Sequence, residues 1–262
     1  MNKYLLVLVS LIVNLYGAKT QILLTKIQLD TCKVFSDLDE AIASWDNVYV
    51  LDLSGVGLKN IPEKIEKLKN LQRLNLANNN ISILPEGIFE LTHLQDINLE
   101  ENKLLGIQAS IGNLTNLVKI NLTRTKISRL PDAFSKLKEL EWLNLSWNNL
   151  TSDSIKIIYK LTKLKNLNLM RNQIEKIDAD IKNLSDLQYL NLNFNPLREL
   201  PEEIGELETL LELDLGKNSE LKTLPHSFKN LNKLEYLNLE QVPLSSEEKQ
   251  KLPNIAEDFI DY

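Results

Sequence analysis

A single cysteine, Cys32, excludes an internal disulfide and any cysteine-based zinc cluster. Two histidines, His93 and His226, lie far apart without carboxylates at metal-ligand spacing, which removes a histidine zinc site and a Ser–His–Asp arrangement. Glycine is sparse. Gly55-Val56-Gly57 is too short for a phosphate loop, and no Lys-Ser/Thr pair follows it. A formal net charge of -6 offers no basic stripe to displace phosphate counterions, so nucleic acid is not an expected partner. The one long apolar run, Tyr4 to Tyr16, falls short of the roughly 20 residues that cross a bilayer. Hydrophobic residues at 43% and charged residues at 25% are ordinary for a folded domain, so disorder does not explain these absences.

What the chain does have is a period. Leu71, Leu74, Leu76, Asn79 and Ile81 open a pattern completed by Leu84-Pro85, Ile88 and Leu91, and it recurs every 23 or 24 residues. Units begin at Val48, Leu71, Leu94, Leu117, Leu140, Leu164, Leu187, Leu210 and Leu234, nine in all. Each opens with an inward pair, from Leu51/Leu53 to Leu237/Leu239, alternating with polar residues as a strand buried on one face requires. One unit cannot hide its leucines alone, whereas stacked units bury a continuous core.

Asn79, Asn102, Asn148, Asn172, Asn195 and Asn218 recur where the chain turns inward and leaves backbone groups in need of partners. They are expected to form a structural ladder, which Thr125 interrupts. The returning arms carry Ile61-Pro62, Leu84-Pro85, Leu130-Pro131, Leu200-Pro201 and Leu224-Pro225, and should run extended before turning helically for one or two turns. Thr151–Leu161 lacks proline, starts with capping residues and is expected to form a true helix.

These residues resemble the leucine-rich repeat family, and the L-P-x-x-I-x-x-L arms resemble its 23-residue class. The resemblance implies an α/β repeat solenoid, a horseshoe with a parallel β-sheet on the concave face and short helical or extended segments on the convex face. It also implies a non-catalytic protein-binding module needing no cofactor. Exported animal and plant members usually carry cysteine-rich caps. Their absence here, with an apparent leader, suggests a bacterial protein that is secreted, periplasmic or on the cell surface.

Four segments are expected: a signal peptide over 1–18, an N-terminal cap over 19–47, nine repeats over 48–244 and a C-terminal cap over 245–262. The leader combines a positive start, an apolar run and the small residues Gly17-Ala18, and its removal leaves no span. In the N-terminal cap, Ser36-Asp37-Leu38-Asp39 opens a short helix, and Trp45 is expected to be buried against the first repeat. Ser245 or Ser246 can cap a closing helix with Glu247 and Glu248 in its first turn.

Between the inward leucines runs an outward polar stripe from Asp52 to Asn238, which stacked amides can satisfy among themselves. The flanking positions vary, and aromatics gather from the fifth repeat onward. Trp142, Trp147, Met170, Arg171, Tyr189 and Phe194 could form one patch, with Tyr236 further along the same face. Such side chains dominate protein interfaces, so a protein or peptide partner is expected there. The alternative is a carbohydrate, with Trp142, Trp147 and Phe194 stacking on sugars and the Asn stripe reading hydroxyls. A hydrolase built on Asp96 and Glu100 is disfavoured, because an open sheet should give no burial to raise a carboxyl pKa.

Overall fold

The computed structural model describes residues 22–254 and 260–261, so the expected leader lies outside the described residues. Eleven parallel strands form a single sheet in chain order. Nine belong to the repeats: β2 (Val50–Asp52), β3 (Arg73–Asn75), β4 (Asp96–Asn98), β5 (Lys119–Asn121), β6 (Trp142–Asn144), β7 (Asn166–Asn168), β8 (Tyr189–Asn191), β9 (Glu212–Asp214) and β10 (Tyr236–Asn238). The ends add β1 (Val34–Phe35), paired with β2, and β11 (Ile260–Asp261), paired with β10. Both edges of the repeat sheet are thereby paired.

The inward leucines and isoleucines are buried throughout, and they join the convex apolar residues in one continuous core. Each fully buried leucine contributes about 1.5–3 kcal/mol relative to exposure. On the convex side the prolines sit in extended backbone, as at Pro85 (φ -68°, ψ 152°). A single 3-10 turn follows, such as Glu86–Glu90 or Glu202–Glu206. Gln108 and Asp178 take the same conformation without a proline. Successive turns pack closely enough that a Cβ on Gly205 would collide with the Ser227 carbonyl.

Two expectations are overturned. Thr151–Leu161 forms no α-helix: turns occupy 152–155, and a 3-10 turn over Lys156–Lys160 matches those of its neighbours. The Ser154 hydroxyl accepts from the Thr151 N–H and donates to the Thr151 carbonyl, so the capping residues close a local turn instead of starting a helix. Trp45 is 49% exposed, because helix α2 (Leu38–Ala43) stops at Ser44 and a separate 3-10 turn, Trp45–Asn47, carries the ring outward. The cap of α2 does form, with the Asp37 carboxylate accepting from the Glu40 N–H. Helix α1 (Lys26–Leu29) precedes β1. At the other end, the Ser245 hydroxyl accepts from the Glu248 N–H at the 3-10 turn Glu248–Lys251.

The asparagine ladder is present in full detail. The Asn148 amide donates to the carbonyls of Leu145 and Ser146 in its own repeat and of Leu122 in the one before, while its oxygen accepts from the Ile127 N–H. Asn79, Asn102, Asn172, Asn195 and Asn218 bridge backward in the same way. Thr125 is too short to do so: its hydroxyl reaches Leu122 of its own repeat and Asn148 of the next. Lys126 then adopts φ 64°, and it makes no backbone bond to the third repeat of the kind that Asn80, Lys103 and Asn149 make to their predecessors. The ladder has a gap between the third and fourth repeats.

Candidate functional site

The concave surface is built from rows that run across the strands. Strand register places Val50, Arg73, Asp96, Lys119, Trp142, Asn166, Tyr189, Glu212 and Tyr236 in the row at the strand starts. The next outward row is the polar stripe. Its side-chain oxygens accept from the N–H two residues on, in every repeat from Asp52 with Ser54 to Asn238 with Glu240. The stripe is therefore engaged in shaping the strand ends.

A further row follows where the chain turns inward. Gly55, Asn78, Glu101, Arg124, Trp147, Arg171, Phe194, Lys217 and Gln241 all have φ between 52° and 69°. Each donates its N–H to the next repeat where one follows in register, as Trp147 does to the Met170 carbonyl (2.9 Å) and Arg171 to the Asn193 carbonyl (2.8 Å). The left-handed conformation costs a non-glycine residue about 1 kcal/mol.

The side chains of this row stack. The Arg124 guanidinium lies 4.4 Å from the Trp147 ring centroid, and that of Arg171 lies 3.9 Å away from the adjoining repeat. Arg171 is also 5.4 Å from the Phe194 centroid, and the Lys217 ammonium is 4.8 Å from that ring. Carboxylates close the two ends, Glu101 on Arg124 at 2.8 Å and Glu240 on Lys217 at 3.5 Å. Each of these partly exposed cation–ring contacts contributes about 0.5–1 kcal/mol.

The residues expected to form one patch therefore fall into separate rows. Arg171 lies between Trp147 and Phe194 and contacts both rings, with Met170 beside it one position earlier in the chain. Trp142 and Tyr189 belong to the strand-start row, five residues before the stack and up to about 16 Å from it along the chain. Trp142 carries the Lys119 ammonium 4.7 Å from its ring. The Tyr236 hydroxyl donates to Asp261 of β11, which pushes its pKa up to about 12 and ties this side chain to the terminal strand. Sequence reasoning missed Arg124 and Lys217 as members of the stack. Aligning the residue before each ladder position exposes them.

At the N-terminal end the concave face is covered by the chain itself. The Gln72 amide accepts from the Leu24 N–H (2.8 Å) and donates to the Ile22 carbonyl (3.0 Å), and Gln95 donates to the Leu24 carbonyl (2.9 Å). Arg73 bridges Asp30 (2.8 Å) and Asp96 (3.5 Å). The expectation that no carboxyl here is desolvated fails at Asp96, which is half-buried and whose pKa is raised by that desolvation against the opposing pull of Lys119 and Arg73. Glu100 accepts from the Asn121 amide at 3.0 Å. Burial likewise pushes the Cys32 thiol up, and its sulfur lies 3.4 Å from the Gln28 carbonyl.

A family model described as a leucine-rich repeat region matches residues 29–178 and 177–257. The chain belongs to the leucine-rich repeat family. No curated protein matches it. Among solved structures it is similar to an internalin, InlF of Listeria monocytogenes, with a TM-score of 0.71 at 20% identity over 85% of this chain. It is similar to TLR13, solved in complex with ssRNA13, with a TM-score of 0.68 at 27% identity over 84% of this chain. A plant peptide hormone receptor, RGFR1, solved in complex with RGF2, gives a TM-score of 0.64 at 28% identity over 82% of this chain. This leucine-rich repeat chain spans 64% of the internalin, 32% of TLR13 and 37% of RGFR1.

Proposed function

We propose that this chain is an exported, non-catalytic module that holds a protein or peptide on its concave face across the fourth to eighth repeats. The observation that carries this reading is the stack Trp147–Arg171–Phe194, bulky side chains kept in left-handed backbone beside Trp142, Met170 and Tyr189. Left-handed backbone is common to this row in every repeat, so what distinguishes the fourth to eighth repeats is the size and chemistry of the side chains it carries. Rigid aromatics and arginine offer much contact area with few rotors to freeze. The plant receptor's complex with RGF2 is a precedent for peptide capture on this fold. Export rests on the apolar run Tyr4–Tyr16, and a bacterial surface, periplasmic or secreted location on that run together with the lack of cysteine-rich caps.

Carbohydrate stacking is the weaker alternative. Trp147 and Phe194 each lie between cations from the two adjoining repeats, so their faces are already engaged and less free to stack on a sugar. The TLR13 complex contains RNA, but here the net charge is -6 and the cationic row is bounded by Glu101 and Glu240. Asp96 is ion-paired beneath the N-terminal segment, which leaves no free acid for glycoside hydrolysis.

The test compares the chain beginning at Lys19 with its Trp142→Ala/Trp147→Ala variant as baits for surface and envelope extracts, after both are shown to melt alike. Loss of a protein partner by the variant is the expected result. A partner held equally by both would place the site off the concave face, and release by soluble glycan would favour the carbohydrate alternative.

A further inference from the structure

We infer that Arg171 anchors a single carboxylate of the partner, an Asp or Glu flanked by uncharged residues that lie on the edges of Trp147 and Phe194. This rests on the protein-binding reading and narrows it to a partner chemistry. Of the five arginines, Arg73, Arg124 and Arg198 pair with carboxylates of the chain. Arg129 has neither a carboxylate nor a ring against it among the described residues. Arg171 alone among the described residues has aromatic rings against its guanidinium from both adjoining repeats and no acceptor on the guanidinium N–H groups.

That arrangement selects its ligand. The guanidinium is held between two rings with its own N–H groups unengaged, and a planar guanidinium in that state can receive a carboxylate through two parallel hydrogen bonds. Neighbouring charges decide how much anion fits. Glu101 answers Arg124 and Glu240 answers Lys217, so one positive charge at the centre is uncompensated. A polyanion would meet acidic groups at both ends of the row, whereas an isolated carboxylate would not. With the ring faces occupied, the adjoining surface is made of ring edges and the half-buried Met170, which suits the uncharged side chains of a protein segment better than a sugar acid.

The experiment pans a displayed library of random peptides on the chain from Lys19 and on its Arg171→Gln, Arg171→Lys, Trp147→Ala and Arg198→Gln variants. Peptides held by the unaltered protein should carry one Asp or Glu between uncharged residues. Arg171→Gln should weaken them about tenfold to a hundredfold, the range for a charge-assisted hydrogen-bonded pair. Arg171→Lys keeps the charge without the planar fork and should restore only part, while Arg198→Gln should change nothing. Replacing the peptide's acid by its amide should cost as much as Arg171→Gln, and the two changes together no more than either. The Lys variant, which retains a cation between the rings, guards against a stack that merely loosens.

Peptides that require Trp147 but neither an acid nor Arg171 would overturn the anchor and leave the protein-binding reading standing. Peptides indifferent to all of these residues, or a library that yields none, would overturn both. Polyglutamate or oligogalacturonate bound more tightly than the single-acid peptides would overturn the restriction to one carboxylate.

Discussion

The first three repeats and the five that follow share one backbone and treat it differently. In the first three, the left-handed row holds Gly55, Asn78 and Glu101, and the residues that tolerate this conformation best come first. Their strand-start side is overlaid by Ile22–Leu24, and their charges are paired internally, Arg73 with Asp30 and Asp96. In the next five the same row carries Arg124, Trp147, Arg171, Phe194 and Lys217. The gap at Thr125 falls at the boundary. One strand register thus carries an overlaid, internally paired face and a row of stacked cations and rings in adjacent repeats, and the only change in the buried ladder between them is Thr125.

The largest effect tests the core that both regions share. Leu145→Ala should cost about 2–5 kcal/mol in chemical denaturation, because the cavity opens in a core with no solvent route to collapse. A cost below about half a kcal/mol would mean the inward register is misassigned. Asn172→Ala comes next: it strips partners from the buried carbonyls of Leu145 and Leu169 and from the Leu150 N–H, for a cost of about 3 kcal/mol.

At the boundary the sign should reverse. Thr125→Asn restores the backward bridge to the third repeat and is expected to raise stability by about 1 kcal/mol. If it destabilises as much as Asn172→Ala does, the gap is a packing requirement and the two regions are not separately joined blocks.

The smallest effect concerns the overlay on the first repeats. A raised Asp96 pKa means the folded state holds its proton more tightly than the unfolded chain does. Its contribution to stability is then present below the ordinary carboxylate range and lost as pH rises through the folded value. Asp96→Asn should flatten that shallow decline. Gln72→Ala should free Ile22–Leu24, uncover Asp96 and lower its pKa, which carboxyl NMR would follow. An unchanged Asp96 titration would show that Gln72 does not hold the segment down.

Much of this was legible in the residues. Period-2 alternation marked the inward leucines, and recurrence marked the asparagines, because one turn geometry repeated in register needs one side chain to satisfy it. Thr151–Leu161 was misread because helix propensity is local, while the turn it adopts is set by packing against neighbouring 3-10 turns. Trp45 was misread because an apolar ring at helical spacing reads as buried, and the helix ends two residues before it. The overlay at Gln72 and Gln95 left no trace, since those side chains grip backbone atoms that any residue could supply. The terminal strands β1 and β11, two residues each, are too short to show alternation.

The stack of cations and rings has a parity. Arg124, Trp147, Arg171, Phe194 and Lys217 alternate one per repeat. Excising the repeat that carries Trp147 would set Arg124 against Arg171, and excising the one that carries Arg171 would set ring against ring. Removing or duplicating two adjacent repeats keeps the alternation whole. A relative that has gained or lost repeats inside this row and kept its alternation must therefore have done so in pairs.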